Sequence, residues 1–98
     1  MSWADKAIEA LGRGETVTVR PRGNSMRPRI ISGQSVTLSP LTAGRPRVGD
    51  VVLVRVGGSI YLHLVRAIDG ERYQIANNRG KINGWATRRA VYGVLIDD

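Results

Sequence analysis

The sequence predicts a mainly β fold: a small, coiled, antiparallel and barrel-like sheet with one short N-terminal helix, within a single domain of residues 1–98. Three observations favour it. The chain has 98 residues, which is close to a common domain size and enough for one modest core. Apolar runs of strand length recur at short spacing. Glycine pairs and other turn residues separate these runs, as in small barrels.

The first element is a short helix within residues 1–14, ahead of a β core at 15–98. Ser2 is a suitable N-cap, and Asp5 follows it at the spacing of a capping box. The apolar residues that share one side at helical spacing are Trp3, Ala7, Ile8 and Leu11. A helix of this length is marginal alone, so its apolar side must dock on the domain. Contact of Trp3 with a membrane surface or a partner is the alternative.

After the helix the apolar pattern changes to the short runs typical of strands. The predicted strands span residues 16–20, 35–39, 50–56, 59–68, 71–76 and 90–96. The third is the strongest, because residues 51–54 are consecutive Val and Leu and fit a strand buried on both faces. Two tight hairpin turns are predicted, at Gly57-Gly58 and at Asp69-Gly70. Residues 41–49 and the polar segment 77–84 are predicted to be loops.

Composition excludes several kinds of site. The chain has no cysteine, which excludes disulfides, thiolate zinc sites and a cysteine nucleophile. His63 is the only histidine, so a multi-histidine metal site is excluded too, and no cofactor is expected. The longest apolar stretch, residues 90–96, is far shorter than the about 20 residues of a membrane helix. Residues 1–12 lack the apolar region of a secretory leader. We therefore expect a cytoplasmic protein without a transmembrane segment, with peripheral membrane contact as the alternative.

The charge balance is strongly basic. Fifteen basic residues face eight acidic ones, for a net charge of +7, and every basic residue except Lys6 and Lys81 is arginine. Such a field favours an anionic partner, namely a nucleic acid, an anionic lipid or an acidic peptide. Arginine-rich composition also arises from the base composition of coding DNA, without any partner. No recognisable nucleic-acid-reading helix or aromatic strand motif accompanies the arginines.

Two residues carry the candidate chemistry, Ser25 and His63. Ser25 lies in the segment Gly-Asn-Ser-Met-Arg-Pro at 23–28, where glycine and proline favour a sharp turn that presents the hydroxyl. His63 is the side chain whose ordinary pKa lies near neutrality. A serine hydroxyl becomes a good nucleophile when a base takes its proton, so these residues are the minimum for a Ser–His pair. On composition alone, a structural role for both residues is the alternative.

The segment at 23–28 resembles the G-x-S-M-x-P box of the signal peptidase and LexA-type serine peptidases. Further boxes that resemble this family follow in its order; they lie at residues 33–36, 48–54, 60–65, 76–78 and 91–95. The resemblance covers about residues 16–96 and implies a coiled β-sheet fold. It places Ser25 at the nucleophile and His63 at the general base, as in the endoplasmic-reticulum and archaeal form. Neither lysine lies at the base position, so a Ser–Lys dyad is not expected.

This resemblance implies a mechanism. Neutral His63 would take the proton of Ser25 and later protonate the leaving amine. Backbone N–H groups at Ser25, with help near Gly23, would stabilise the oxyanion, and Met26 and Arg27 would contact the substrate. A peptide would bind extended along an open strand edge. Nearby arginines would lower the pKa of His63 or select acidic residues in a substrate. These arginines are Arg20, Arg22, Arg27 and Arg29.

The chain departs from the family pattern where an acid usually orients a histidine base. Ala76 occupies the place of that acid in the late box, and Asn83 lies where a later acid would be expected. We expect neither the membrane anchor of signal peptidases nor the DNA-binding domain of LexA-type proteins in this protein. Three functions therefore stay open. They are a small peptidase that cleaves or self-processes a peptide bond, a catalytically impaired peptide- or protein-binding module on the same fold, and nucleic-acid binding through an Arg-rich face.

Overall fold

The computed structural model describes residues 3–23, 26 and 29–96. In these residues one helix, α1 (Trp3–Gly12), packs against a seven-stranded antiparallel sheet. The strands are β1 (Val17–Val19), β2 (Val36–Ser39), β3 (Val51–Val56), β4 (Ser59–Asp69), β5 (Arg72–Ala76), β6 (Ile82–Thr87) and β7 (Val91–Ile96). A 3-10 turn at Arg88–Ala90 leads into β7. The predicted mainly β fold with a short N-terminal helix is confirmed.

The strands lie in the order β1-β2-β7-β3-β4-β5-β6. β3 to β6 follow one another as a meander, and β7 returns to lie between β2 and β3. The turn at Gly57-Gly58 is confirmed, whereas the second hairpin turn is Gly70-Glu71, one residue later than predicted. β1 and β6 are the edge strands of the sheet, which does not close into a barrel within the described residues.

The core consists of two clusters that share β3. Val51 and Leu53 belong to the cluster beneath α1, whereas Val52 and Val54 belong to the cluster on the other face. All four side chains are fully buried, as the continuous apolar run predicted. Successive side chains of a strand point to opposite faces, so a strand covered on both sides needs apolar residues at every position.

The helix α1 docks on the sheet, as its apolar side predicted. Its buried residues are Ala4, Ala7, Ala10 and Leu11. At Gly93 of β7, a Cβ atom would lie 2.8 Å from Leu11 Cδ1 and 2.8 Å from the backbone oxygen of Ser39. Glycine therefore permits the close approach of the helix here. Ser2, the predicted N-cap, lies outside the described residues. Across the described ranges, no helix combines the length and the apolar character needed to span a bilayer.

The prediction of a loop at 77–84 was wrong in its last part, because β6 begins at Ile82. This strand has no apolar alternation: Ala86 is its one buried residue, while Ile82 and Trp85 are exposed. Its Asn-Gly dipeptide is also typical of turns. Pairing with β5, from Arg72 to Ala76, forms the strand despite these local signals. Cross-strand partners thus decide the structure of this segment, as they often do in sheets.

Candidate functional site

His63 lies on β4 opposite Val52 of β3 and is 6% exposed. Its side chain shares a face of β4 with Tyr61 and Val65, because alternate residues of a strand point to the same side. The rings of Tyr61 and His63 are stacked, with centroids 4.8 Å apart and an interplanar angle of 27°. The imidazole is therefore held by its own strand and by the neighbouring ring.

Asn83 of β6 forms a hydrogen bond with His63, with 2.7 Å between His63 Nδ1 and Asn83 Oδ1. A bulge positions this amide. Ala76 of β5 pairs with Ile82, and Ile75 pairs with Gly84, so Asn83 is an extra residue in β6. Bulges bend a strand locally and redirect a side chain. The amide thus lies at the position where the sequence pattern led us to expect an acid.

The pKa of His63 is lowered from its ordinary value of 6.5. Burial is the main cause, because it disfavours the charged imidazolium, and the hydrogen bond with Asn83 partly opposes this shift. Nearby arginines were expected to produce the same shift. Among the described residues, no arginine contributes to it. His63 is therefore mainly a neutral imidazole at pH 7, and burial is the main cause among the described residues.

A cleft of about 260 Å³ lies beside His63. Its walls come from α1, from the segment after β1 and from the first half of β4. The lining residues are Trp3, Pro21, Arg22, Gly23, Met26, Ile30, Ile60, Tyr61, Leu62 and His63. Of the predicted site residues, the structure thus brings Gly23, Met26 and His63 to one cleft. Ser25 and Arg27 lie outside the described residues.

Gly23 and Met26 each form a local hydrogen bond. Met26 is 5% exposed, and its carbonyl oxygen accepts a hydrogen bond from the Ile30 N–H at 2.9 Å. Gly23 has a φ of +113°, which glycine adopts readily. Its N–H donates to Ser32 Oγ at 3.1 Å. For the Gly23 N–H to donate to an oxyanion, its hydrogen bond with Ser32 would first have to break.

The first half of β4 has an open edge at the cleft. The Val65 N–H donates to the Asp50 carbonyl at 2.8 Å, so the backbone groups of Val65 point toward the β3 side. Because bonding directions alternate along a strand, those of Ile60 and Leu62 point the other way. β5 pairs with β4 only from Leu64 onward, so no described strand pairs with that side of residues 59–63. Ile60 and Leu62 both line the cleft.

Asp50, the acid directly before β3, binds within its own loop. Its carboxylate accepts hydrogen bonds from Arg45 at 2.7 and 2.9 Å and from the Arg47 N–H at 2.8 Å. Burial raises the pKa of this carboxyl, but these hydrogen bonds and charges outweigh burial, and the net shift is downward. Asp50 thus fixes its own loop and does not orient His63.

Arg22 is the one charged side chain among the described residues that line the cleft. It is exposed. Two other arginines of the segment are engaged elsewhere: Arg20 donates to Ser35 Oγ at 3.1 Å and Arg29 donates to the Gly49 oxygen at 3.0 Å. A positive charge at the cleft favours an acidic group on a bound molecule.

A second region of interest lies on the outer face of β5 and β6. Arg72 stacks over the Trp85 ring, 5.1 Å from its centroid. A concavity of about 550 Å³ is lined by Glu71, Arg72, Thr87, Arg88 and Arg89. Two acids offset its positive charge, because Asp69 pairs across from Arg72 and Glu71 lies in the lining. This arrangement gives little support to a nucleic-acid interface, which needs a strongly basic surface.

Comparisons with known proteins found no family model, curated protein or solved structure with a significant match to this chain. The resemblance to signal peptidase and LexA-type peptidases therefore rests on the sequence boxes alone. Any assignment of function depends on the residues around His63 and on the cleft that they line.

Proposed function

We propose that this protein is a small serine peptidase, similar to the signal peptidase and LexA-type enzymes, with Ser25 as nucleophile and His63 as general base. The observation that carries the proposal is the cleft that Gly23, Met26 and His63 line together. Ser25 directly precedes Met26 in the chain. The nucleophile predicted from sequence is therefore the chain neighbour of a residue that lines the same cleft as His63.

The chemistry follows from a neutral imidazole beside a serine. His63 takes the hydroxyl proton of Ser25 while Oγ attacks the carbonyl carbon of the peptide bond. The imidazolium then protonates the leaving amine, and water hydrolyses the resulting acyl-enzyme with His63 again as the base. Backbone N–H groups of the segment around Ser25 stabilise the oxyanion. The lowered pKa of His63 supports this role, since the base form predominates at pH 7.

The substrate in this proposal is an extended peptide on the open edge of β4. The outward backbone groups of Ile60 and Leu62 add the peptide as a further strand, and pairing fixes its register relative to His63. The apolar walls of the cleft, such as Met26 and Ile30, accept apolar side chains. Arg22 adds a preference for an acidic residue. The catalytically impaired binding module would use the same edge without turnover, so cleavage distinguishes the two functions.

The test is digestion of a synthetic library of unstructured peptides near pH 7, with products identified by mass spectrometry. We expect cleavage at a defined set of bonds and a loss on the order of 10²-fold or more in Ser25→Ala and His63→Ala. Thr87→Ala, which removes an exposed hydroxyl on β6 outside the cleft, is the control and should cleave at the original rate. Arg22→Ala should reduce the preference for peptides with an acidic residue.

Two outcomes would contradict the proposal. One is cleavage by the Ser25→Ala variant at the original rate, which would exclude Ser25 as nucleophile. The other is an absence of products from the original protein. If the protein nevertheless retains peptides from the library, the impaired binding module replaces the peptidase as the better account.

A further inference from the structure

We propose that Asn83 is a positioning residue that holds His63 in the tautomer needed by a general base. This inference rests on the proposed function of His63. In serine peptidases a buried carboxylate commonly has this task, since it binds Nδ1–H and leaves Nε2 to accept the serine proton. In the present structure an uncharged amide lies in that position, with its oxygen 2.7 Å from His63 Nδ1.

The identity of the contacting atom fixes the tautomer. An amide oxygen only accepts hydrogen bonds, so the proton of the neutral imidazole must lie on Nδ1. Nε2 then carries the lone pair that a general base uses. An amide that presented its NH₂ group would force the opposite tautomer, which in a Ser-His-Asp peptidase lowers kcat by about 10⁴-fold. The orientation of the Asn83 amide therefore has a large chemical consequence.

The backbone around Asn83 is shaped to bring this oxygen to the ring. β6 is separated from β4 by β5, so the amide has to reach past the end of β5 at Ala76. The bulge at Asn83 bends β6, and Gly84 has a φ of +143°. A Cβ on Gly84 would lie 3.0 Å from Val56 Cγ1, so glycine allows β6 to come close to β3. The ring of Tyr61 supports the imidazole from its own strand.

Replacement of a carboxylate by an amide changes how His63 titrates. A carboxylate would stabilise the imidazolium and raise the pKa of the ring, whereas the neutral amide supplies only a hydrogen bond. Burial therefore prevails, and the pKa of the ring lies below its ordinary value of 6.5. The acid limb of a cleavage profile should lie at lower pH than in an equally buried Ser-His-Asp site.

Nitrogen-15 NMR of the His63 ring tests the inference directly. His63 is the only histidine, so its ring signals need no assignment. We expect the Nδ1–H tautomer in the original protein and a mixture of tautomers in Asn83→Ala. Asn83→Asp, which has nearly the same shape, should keep the Nδ1–H tautomer and raise the pKa of the ring. Thr87→Ala on the same strand is the control and should change neither property.

The inference is overturned if the original protein shows the Nε2–H tautomer, or if Asn83→Ala leaves the tautomer and the pKa of His63 unchanged. The first result needs no variant, so a failure of Asn83→Ala to fold leaves the test intact. Where peptide cleavage is found, Asn83→Ala should lower kcat at least about tenfold with little change in KM, and Asn83→Asp should move the acid limb to higher pH. If the NMR result is as expected but no cleavage is found, the peptidase proposal is contradicted and the inference about the tautomer stands.

Discussion

The two halves of β4 pair with different neighbouring strands. Residues 59–63 pair with β3, and their other side borders the cleft beside His63. Residues 67–69 pair with β5 and lead into the second hairpin turn, and Arg66 and Asp69 of this half are exposed. Val65, near the middle, forms backbone hydrogen bonds with the segment before β3 and lies opposite Ile75 of β5. The strand thus passes from one hairpin to the next and leaves a different edge unpaired in each half.

This difference shows what makes an unpaired strand edge suitable for function. Charged side chains on an exposed edge protect it against unwanted pairing, which is how the distal half of β4 is protected. The proximal half lies in a partly enclosed cleft, with a buried titratable group at its end. In the proposed function, this edge selects an extended peptide and places one of its bonds beside His63. Enclosure and chemistry, rather than the open edge alone, distinguish the two halves.

The largest expected effect is on stability, and it differs between the paired centre of β4 and its open half. Val65 is 1% exposed, and Val65→Ala should lower the free energy of unfolding by about 2 kcal/mol, since it removes buried methyl groups and leaves a cavity. Ile60 is only half-buried at the rim of the cleft. Ile60→Ala should therefore cost about 1 kcal/mol or less, although it removes more atoms. Urea denaturation measures the loss of stability in both variants. An equal or larger loss in Ile60→Ala would contradict the expected difference between the two halves of β4.

A smaller effect depends on pH. Burial lowers the pKa of His63 from 6.5 in the folded state, so the unfolded chain binds the proton more readily. The contribution of His63 to the free energy of unfolding should be fully present above pH 6.5. It should decrease as the pH falls below 6.5 toward the folded-state pKa. Asp50 stays charged in this range, because its own pKa lies below 3.8.

His63→Gln removes this titration and is the matched comparison. Urea denaturation at about pH 7.5 and about pH 5 should show a larger loss of stability in the original protein than in the variant. Other titrating groups contribute equally to both proteins and cancel in the difference. An identical loss in both proteins would mean that His63 titrates normally, against its burial in the proximal half of β4.

The smallest effect requires no substitution. The backbone N–H groups of Tyr61 and His63 bond toward β3, whereas those of Ile60 and Leu62 point to the unpaired side. Amide hydrogen exchange should therefore be at least about tenfold faster at Ile60 and Leu62 than at their two neighbours. Residue-resolved NMR measures the four rates. Uniform protection along residues 59–63 would show that the edge is covered.

Much of the frame of the sheet could be predicted from sequence. The continuous Val and Leu run at 51–54 and the turn at Gly57-Gly58 are local signals, and both have the predicted roles. β6 could not be found in this way, since Asn83 and Gly84 favour a turn and only pairing with β5 makes the segment a strand. The cleft was also beyond local reasoning, because three separate segments contribute its walls.

The candidate site was predicted unevenly. His63 was selected by its chemistry, and the structure shows it buried beside a cleft. At Asn83 the residue type alone suggested that an orienting group was missing. Which atom of an amide faces a ring depends on the bulge and on tertiary contacts, so the sequence could not reveal the hydrogen bond to His63. Ser25 lies outside the described residues, and its role remains a prediction.

The most direct test of that role uses the absence of cysteine from the chain. Ser25→Cys introduces a single thiol, whose alkylation rate as a function of pH gives its pKa by mass spectrometry. If residue 25 faces His63, the thiolate pairs with the imidazolium, and the thiol pKa should lie about one unit or more below the ordinary 8.5. The shift should disappear in the double variant Ser25→Cys/His63→Ala. The same pKa near 8.5 in both variants would contradict the pairing of Ser25 with His63.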